Sequence, residues 1–172
     1  KKTIQAALNA AEDFDIIEVL HGTNGVYNED ININDRVFLF GRDYARGTII
    51  DGTGRSDSVV DFFSEGVIDG FTIRNGGTTS QIADGAGMRI QPGSFQADLW
   101  VVGCLFTGNH ASSRGGAIYI ANGDPTLVSC SIVANTAPQG AAIFSNSNNN
   151  DIRLINTLLW NDEPTNGAEV QG

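Results

Sequence analysis

Short segments of alternating polar and apolar residues recur along this chain with a period of 26 to 34 residues. Four of them align, and each ends in asparagine; they span residues 70–75, 103–109, 129–135 and 156–161. The intervals between the final asparagines are 34, 26 and 26 residues. A repeat of this length is typical of architectures in which each unit buries its apolar face only against its neighbours.

A second set of segments follows the asparagines, and each member begins with glycine and ends with an apolar residue. They span residues 85–88, 115–118, 140–143 and 167–170. The number of residues between the two sets varies, which indicates a coil whose turns differ in length while its strands stay in register. The predicted fold is therefore all-β, a right-handed parallel β-helix, which is a solenoid.

Stacking the coils at the spacing of parallel strands, about 4.8 Å, predicts inward columns of equivalent residues. The predicted columns are Val102, Val128 and Ile155; Cys104, Cys130 and Thr157; Phe106, Ile132 and Leu159; and Ile118 with Ile143. Side chains in register would hold the two cysteine sulfurs side by side in a torsion that suits a disulfide poorly. This geometry favours free buried thiols.

The four asparagines that end the repeats, Asn75, Asn109, Asn135 and Asn161, are predicted to form one structural ladder at a bend of the coil. Asparagine tolerates left-handed backbone conformations and bonds to local backbone groups. Stacked side-chain amides also bond to one another. The alternative is a row of amides that binds a ligand, although turn chemistry already accounts for these residues.

The N-terminal third predicts a cap followed by further coils. Ile4, Ala7, Leu8 and Ala11 have helical spacing, and Thr3 is a suitable N-cap residue. Apolar runs then predict strands at 16–20, 37–40, 48–50, 59–63 and 67–73. We interpret residues 1–172 as one β-helix domain, with an N-terminal capping helix in 1–14 and coils over 15–172, either complete or a fragment of a longer protein.

Charge and hydropathy narrow the choice of partners. The chain has 20 acidic and 10 basic residues, a net charge of −10, and such a surface repels phosphate backbones and anionic membranes. No apolar stretch approaches the roughly 20 residues of a spanning helix, and Lys1 and Lys2 lead into an amphipathic segment rather than a signal peptide. We therefore expect no nucleic-acid partner and no membrane span.

Several segments resemble the pectin-lyase-like right-handed β-helix proteins. The opening Thr3-Ile4-Gln5-Ala6-Ala7-Leu8 and the later Thr48-Ile49-Ile50-Asp51-Gly52 look like the first coils of that group. The unit from Asn109 to Tyr119, which contains Gly-Gly-Ala-Ile-Tyr, resembles the repeats of bacterial surface β-helix proteins similar to the polymorphic outer-membrane family. The resemblance implies the same fold and an extracellular or cell-surface location, but the fold serves many activities.

The catalytic signatures of the pectin-lyase-like enzymes are missing. Their polygalacturonases show Asn-Thr-Asp, Gly-His-Gly and Arg-Ile-Lys motifs, and the nearest match is Met88-Arg89-Ile90-Gln91, which lacks the lysine. Pectate lyases need carboxylates that hold calcium and a lysine or arginine base. Because lysine occurs only at positions 1 and 2, any base would be an arginine. The candidate catalytic residues are Asp84, Arg89 and Arg114.

Two further columns are candidate binding features. The residues that precede the repeated glycines form a predicted ridge of Asp84, Arg114, Gln139 and Asn166. Its carboxylate and guanidinium could bind sugar groups, although such pairs are more often solvated salt bridges. Tyr119 and Phe144 share an outward column, which predicts either an aromatic platform for a sugar or rings that stabilise the sheet.

The leading hypothesis is a non-catalytic extracellular or cell-surface module for adhesion or glycan contact. The competing hypothesis is a polysaccharide lyase or glycoside hydrolase of the pectin-lyase-like fold. No cofactor or metal is expected, because the stretch from Asp30 has Asp35 and Gly41 where a calcium loop needs glycine and glutamate. The last repeat has no polar cap, so we expect self-association through this C-terminal end as well as contact with a polysaccharide.

Overall fold

Three parallel β-sheets of six strands each, called sheets A, B and C, form the body of the protein. The computed structural model describes residues 2–21, 24–78, 82–93, 98–146, 151–165 and 168–171. The chain visits the sheets in the order A, B, C six times, and each visit is one rung of a right-handed parallel β-helix of about five turns. This confirms the predicted fold class.

The first three rungs contain the N-terminal helix and the strands up to residue 90. Rung 1 follows α1 (Ile4–Leu8) and comprises β1 (Ile16–Val19), β2 (Val26–Tyr27) and β3 (Ile31–Ile33). Rung 2 comprises β4 (Val37–Gly41), the short α2 (Tyr44–Gly47), β5 (Ile49–Asp51) and β6 (Val60–Phe62). Rung 3 comprises β7 (Gly66–Asp69), β8 (Thr72–Arg74), β9 (Ile82–Asp84) and β10 (Met88–Ile90).

The last three rungs repeat this order with an additional short strand between sheets B and C. Rung 4 comprises β11 (Leu99–Val102), β12 (Leu105–Thr107), β13 (Ala111–Arg114) and β14 (Ile118–Ile120). Rung 5 comprises β15 (Thr126–Val128), β16 (Ser131–Val133), β17 (Thr136–Ala137) and β18 (Ile143–Ser145). Rung 6 comprises β19 (Arg153–Ile155), β20 (Leu158–Trp160), β21 (Glu163–Pro164) and β22 (Val170–Gln171). The additional strands pair in parallel, β9 with β13 and β17 with β21.

Helix α1 covers the first rung, as predicted. The Thr3 hydroxyl accepts a hydrogen bond from the Ala6 backbone nitrogen at 3.1 Å, which is the expected N-cap contact. The Glu29 carboxylate accepts two more, from the nitrogens of Ile4 and Gln5 at 3.0 Å each. Ile4 and Leu8 are buried in the main core. The helix therefore shields the apolar interior at this end of the stack.

Four of the five apolar runs in the N-terminal part each contain one strand, but the run 67–73 is divided between β7 and β8. Gly70 lies at the division with φ of 80°, a conformation that glycine adopts without steric cost. The chain turns there from sheet A into sheet B. Apolar character continues through this corner because Phe71 is fully buried, so hydropathy alone does not reveal the break.

One predicted inward column faces outwards and is corrected. Its members do pair in register, but they are half-buried or exposed: Val102, Val128 and Ile155. The preceding residues Val101 and Leu127 are fully buried instead. The corner residue Gly103 has φ of 56° and interrupts the alternation of faces that a continuous strand would keep. The columns on the other side of the corner, with Cys104 above Cys130 and Phe106 above Ile132, are buried as predicted.

The four asparagines occupy two adjacent positions of the coil, which corrects the predicted single column. Asn75 and Asn161 directly follow sheet B and have φ of 59° and 55°. Asn109 and Asn135 come one residue later in their rungs and are fully buried. In the rung of Asn109, Gly108 takes the left-handed corner, with φ of 64°. Aligning the repeats by asparagine therefore shifts their register by one residue.

Asn109 and Asn135 form a buried ladder, and Asp162 continues it in the last rung. Asn109 Nδ2 donates to Asn135 Oδ1 at 2.9 Å, and Asn135 Nδ2 donates to Asp162 Oδ1 at 2.8 Å. The same oxygens accept from the backbone, Asn135 Oδ1 from Asn109 N at 3.1 Å and Asp162 Oδ1 from Asn135 N at 2.8 Å. The ladder satisfies backbone donors where the chain leaves sheet B.

Candidate functional site

The outer face of sheet C carries a column of polar and aromatic side chains from four successive rungs. Asp61, Arg89, Tyr119 and Phe144 are neighbours in register on β6, β10, β14 and β18. Their strand neighbours Met88, Ile118 and Ile143 point inwards and are fully buried. Alternation along each strand therefore fixes which residues reach this outer surface.

A ridge runs beside this face and brings Asp84 next to Arg114. The two residues end β9 and β13 and are register partners, and a further parallel bridge joins Arg114 to Gln139. The chain then turns sharply back into sheet C at Gly115, where φ is 63° and an added Cβ would lie 2.5 Å from the Ile118 carbonyl oxygen. Asn166, the fourth predicted member of the ridge, lies outside the described residues.

Arg114 joins the ridge to the aromatic column. Its Nε and Nη2 donate to the two carboxylate oxygens of Asp84 at 2.9 and 2.7 Å, and its Nη1 donates to Asn146 Oδ1 at 3.0 Å. The guanidinium carbon also lies 5.1 Å from the ring centre of Tyr119 and 5.2 Å from that of Phe144, within the range of a cation–π interaction. All three nitrogens of the guanidinium therefore have partners.

The aromatic pair is packed rather than open. The rings of Tyr119 and Phe144 are parallel within 9°, with centres 5.9 Å apart, and Arg114 lies against both. Only 7% of Tyr119 is exposed, and Phe144 is half-buried. The Tyr119 ring has little free face for a sugar, so of the two functions predicted for this column, the geometry favours stabilisation of the sheet.

Arg89 is held in a second ion pair on the same face. Its Nε and Nη2 each donate to one oxygen of Asp61 at 2.6 Å, and Nη2 also donates to Asp57 at 3.1 Å. Burial raises the pKa of Asp61, whose side chain is only 2% exposed, and the Arg89 guanidinium opposes that rise. Burial lowers the pKa of Arg89, but its carboxylate partners outweigh burial and raise that pKa above the usual value.

These contacts make a general-base role difficult for either arginine. The hydrogen bonds from Arg114 to Asp84 raise the pKa of Arg114, and the partners of Arg89 act in the same direction. A base must release a proton near the operating pH, whereas carboxylate partners hold the proton on each guanidinium. Asp84, Arg89 and Arg114 thus lie on one surface, as pairs of opposite charge rather than as an acid–base set.

Metal binding has no structural support in the ranges that the structure covers. Across them, no three side chains of histidine, cysteine, aspartate or glutamate come close enough together to hold a metal ion. Both cysteines are buried and free, as predicted. The helices of the described residues, α1 and α2, are also far too short to cross a membrane.

Sequence reasoning missed a separate cleft on the outer face of sheet A. Phe14, Phe38 and Trp100 line it, together with Arg36 and two acidic residues. Trp100 lies between the buried Leu99 and Val101 on β11, so the alternation of faces could have identified it as an outward aromatic residue. Phe14 could not be found in this way, because it precedes the first strand.

Comparison with known proteins gives one match, within rung 4. Residues 103–121 match the family model described as the Chlamydia polymorphic membrane protein (Chlamydia_PMP) repeat. No curated protein and no solved structure matches the chain. The matched segment begins at the corner after β11 and ends just after β14, and it includes Asn109, Arg114 and Tyr119. This chain is thus a parallel β-helix in which one rung is similar to a polymorphic membrane protein repeat.

Proposed function

We propose that this chain is a non-catalytic β-helix module that acts outside a bacterial cell, in adhesion through contact with glycans. The similarity of residues 103–121 to the repeat of a membrane-protein family supports the cell-surface location. The stack of six rungs supports the contact role, because a solenoid presents long lateral faces to a partner. The net charge of −10 supports a partner that is neither nucleic acid nor an anionic membrane.

The pairing of the two candidate bases is the observation that carries the non-catalytic part of the proposal. Arg89 and Arg114 each donate two short hydrogen bonds to a carboxylate. Such bidentate pairs are strong and geometrically specific. A lyase of this fold would have to break one of them before its arginine could accept a proton from the substrate.

A joint assay of binding and turnover tests the proposal. The protein is incubated with pectate, alginate and neutral glycans, with and without calcium, while binding and the release of unsaturated or reducing products are measured. We expect retention on at least one glycan without product release. The alternative, a polysaccharide lyase or glycoside hydrolase, predicts product release that increases with protein concentration.

Matched variants identify the source of any turnover. Arg114→Ala removes the ridge pair, and Arg153→Ala removes an exposed pair with Asp151 in the last rung. Product release that is lost in Arg114→Ala and kept in Arg153→Ala would overturn the non-catalytic proposal. Absence of retention on every glycan would overturn the contact proposal.

A further inference from the structure

The cleft on sheet A is built from three consecutive rungs. Phe38, Val67 and Trp100 are register neighbours on β4, β7 and β11. Phe38 and Trp100 are therefore two strand spacings apart, about 9.6 Å between backbones. Val67, a much shorter side chain, lies between them. The arrangement gives two aromatic walls and a low apolar floor.

The segment before β1 places a third ring at this cleft. The Phe14 nitrogen donates to the Arg36 carbonyl oxygen at 2.5 Å, and the Arg36 nitrogen donates to Asp13 Oδ1 at 2.9 Å. These bonds hold Phe14 beside rung 2 with φ of 72°, a conformation that is unusual for a bulky residue. Phe14 is nevertheless 65% exposed, and Trp100 is 45% exposed.

The size of the cleft limits its occupant. Its volume is about 170 Å³, well below the roughly 300 Å³ at which pockets for drug-sized ligands begin. A protein partner would bury about 800 Å² on each side of a standard interface, far more than this cleft offers. A single ring-sized group matches its dimensions.

The polar rim limits the chemistry of the occupant. Arg36 and Glu65 form an exposed ion pair at 3.4 Å, and Asp98 adds a second carboxylate to the lining. A cation would be repelled by the guanidinium, and an anion by the two carboxylates. Arginine only donates hydrogen bonds and carboxylates only accept them. A sugar hydroxyl does both, so a neutral polyhydroxyl ring can satisfy the whole rim.

We propose that this cleft binds one neutral hexopyranose unit of a glycan, which packs its apolar face against Trp100 and directs its hydroxyls to Arg36, Glu65 and Asp98. The inference rests on the proposed glycan contact and assigns its location and its sugar class. It places recognition on sheet A, away from the packed aromatic pair of sheet C. Uronic acid units are disfavoured there because the three rim charges sum to −1.

The two tryptophans of the chain allow a specific test. Trp160→Phe leaves Trp100 as the only tryptophan, so the fluorescence of that variant reports on the cleft. It is titrated with cellohexaose, maltohexaose and chitohexaose, and with hexagalacturonate as the acidic counterpart. We expect a neutral oligosaccharide to shift the Trp100 emission and to protect it from acrylamide quenching, and the acidic one to do neither.

Variants of the cleft complete the test. Trp100→Ala should weaken binding of the neutral oligosaccharide about tenfold or more by calorimetry, whereas Trp160→Phe should leave it unchanged. Asp98→Asn keeps the aromatic walls and should weaken binding severalfold. Circular dichroism checks that each variant keeps its fold.

Each contrary outcome has a distinct meaning. Undiminished binding in Trp100→Ala and Asp98→Asn, or binding of the acidic oligosaccharide alone, would overturn this site and leave the proposed glycan contact standing. Failure of every saccharide to bind would overturn both. Protection of Trp100 that depends on protein concentration without any saccharide would show a second copy in the cleft and would also overturn the inference.

Discussion

Replacing Asn135 with alanine removes the central member of the buried ladder that joins the last three rungs. The side chain makes four hydrogen bonds. Oδ1 accepts from the Asn109 nitrogen and from Asn109 Nδ2, and Nδ2 donates to the Phe106 carbonyl and to Asp162 Oδ1. Asn135 is fully buried, so water cannot replace these partners in the folded state.

The expected loss follows from the groups left without partners. A buried donor or acceptor without a partner costs about 1–3 kcal/mol, and each further lost bond about 1 kcal/mol. The Asn109 backbone N–H loses the partner shown above, whereas Asn109 Nδ2 keeps its bond to the Ile73 carbonyl at 3.1 Å. We therefore expect Asn135→Ala to lower the free energy of unfolding by about 4 kcal/mol.

Asn161→Ala is the matched control, because Asn161 is exposed and ends the same kind of repeat. Its cost is that of placing alanine at a left-handed corner, about 1 kcal/mol, and Ala134 already occupies the equivalent corner in rung 5 with φ of 57°. Equilibrium unfolding in urea, followed by circular dichroism, measures both free energies. If the two variants lose equal stability, the distinction between corner and ladder asparagines is wrong.

Three further predictions concern buried charges and thiols. Burial raises the pKa of Asp162, and its Oδ2 has no hydrogen-bond partner, so the wild type loses stability as pH rises through the folded-state pKa; Asp162→Asn should be about 1 kcal/mol more stable at pH 7 and lose that advantage in acid, and a less stable variant at pH 7 would contradict this. Arg89→Gln leaves the Asp61 carboxylate buried without its partner and should cost about 3 kcal/mol in urea unfolding at pH 7, less at low pH as Asp61 is protonated, whereas the exposed control Arg153→Gln should cost about 1 kcal/mol or less; equal losses would argue against the buried pair. Burial raises the pKa of Cys130 to about 11, so neither cysteine should react with Ellman's reagent (DTNB) at pH 8 until the protein unfolds, and rapid labelling of the native state would contradict the buried column.

The fold could be predicted because repeated columns identify a solenoid without knowledge of its contacts. The two sets of equivalent segments, one ending in asparagine and one beginning with glycine, correspond to the exit from sheet B and the entry into sheet C. The cap was also predictable, because Thr3 and the apolar spacing that follows it are local signals. Both features depend on residues close together in the chain.

The details that failed depend on corners, where local patterns lose their meaning. Val102 was placed inwards because alternation was continued through Gly103, whose left-handed conformation changes the facing of the residues after it. Asn75 was aligned with Asn109 because identical residues were given more weight than the number of residues from the previous corner. At a corner, backbone conformation decides the register, and residue type alone does not determine it.

The candidate site was predicted in its composition but not in its state. Strand register places Arg114 beside Asp84 and Tyr119 beside Phe144, and sequence spacing gives that register. Whether an aromatic ring is open or covered depends on the rotamer of a long neighbour such as Arg114, which sequence spacing does not give. The cleft at Trp100 also depends on Phe14, a residue outside the repeats that long-range hydrogen bonds bring to rung 2.

The central claim is that equivalent residues of successive rungs lie directly above one another in parallel strands. Nuclear Overhauser effects in isotopically labelled protein test it most directly, since Phe106 and Ile132 are 26 residues apart, fully buried and register partners. We predict contacts between the Phe106 ring protons and the Ile132 methyl groups, and between the side-chain amide protons of Asn109 and Asn135. If both contacts are absent, or if the strands around Phe106 and Ile132 show an antiparallel pattern, the stacked β-helix is refuted.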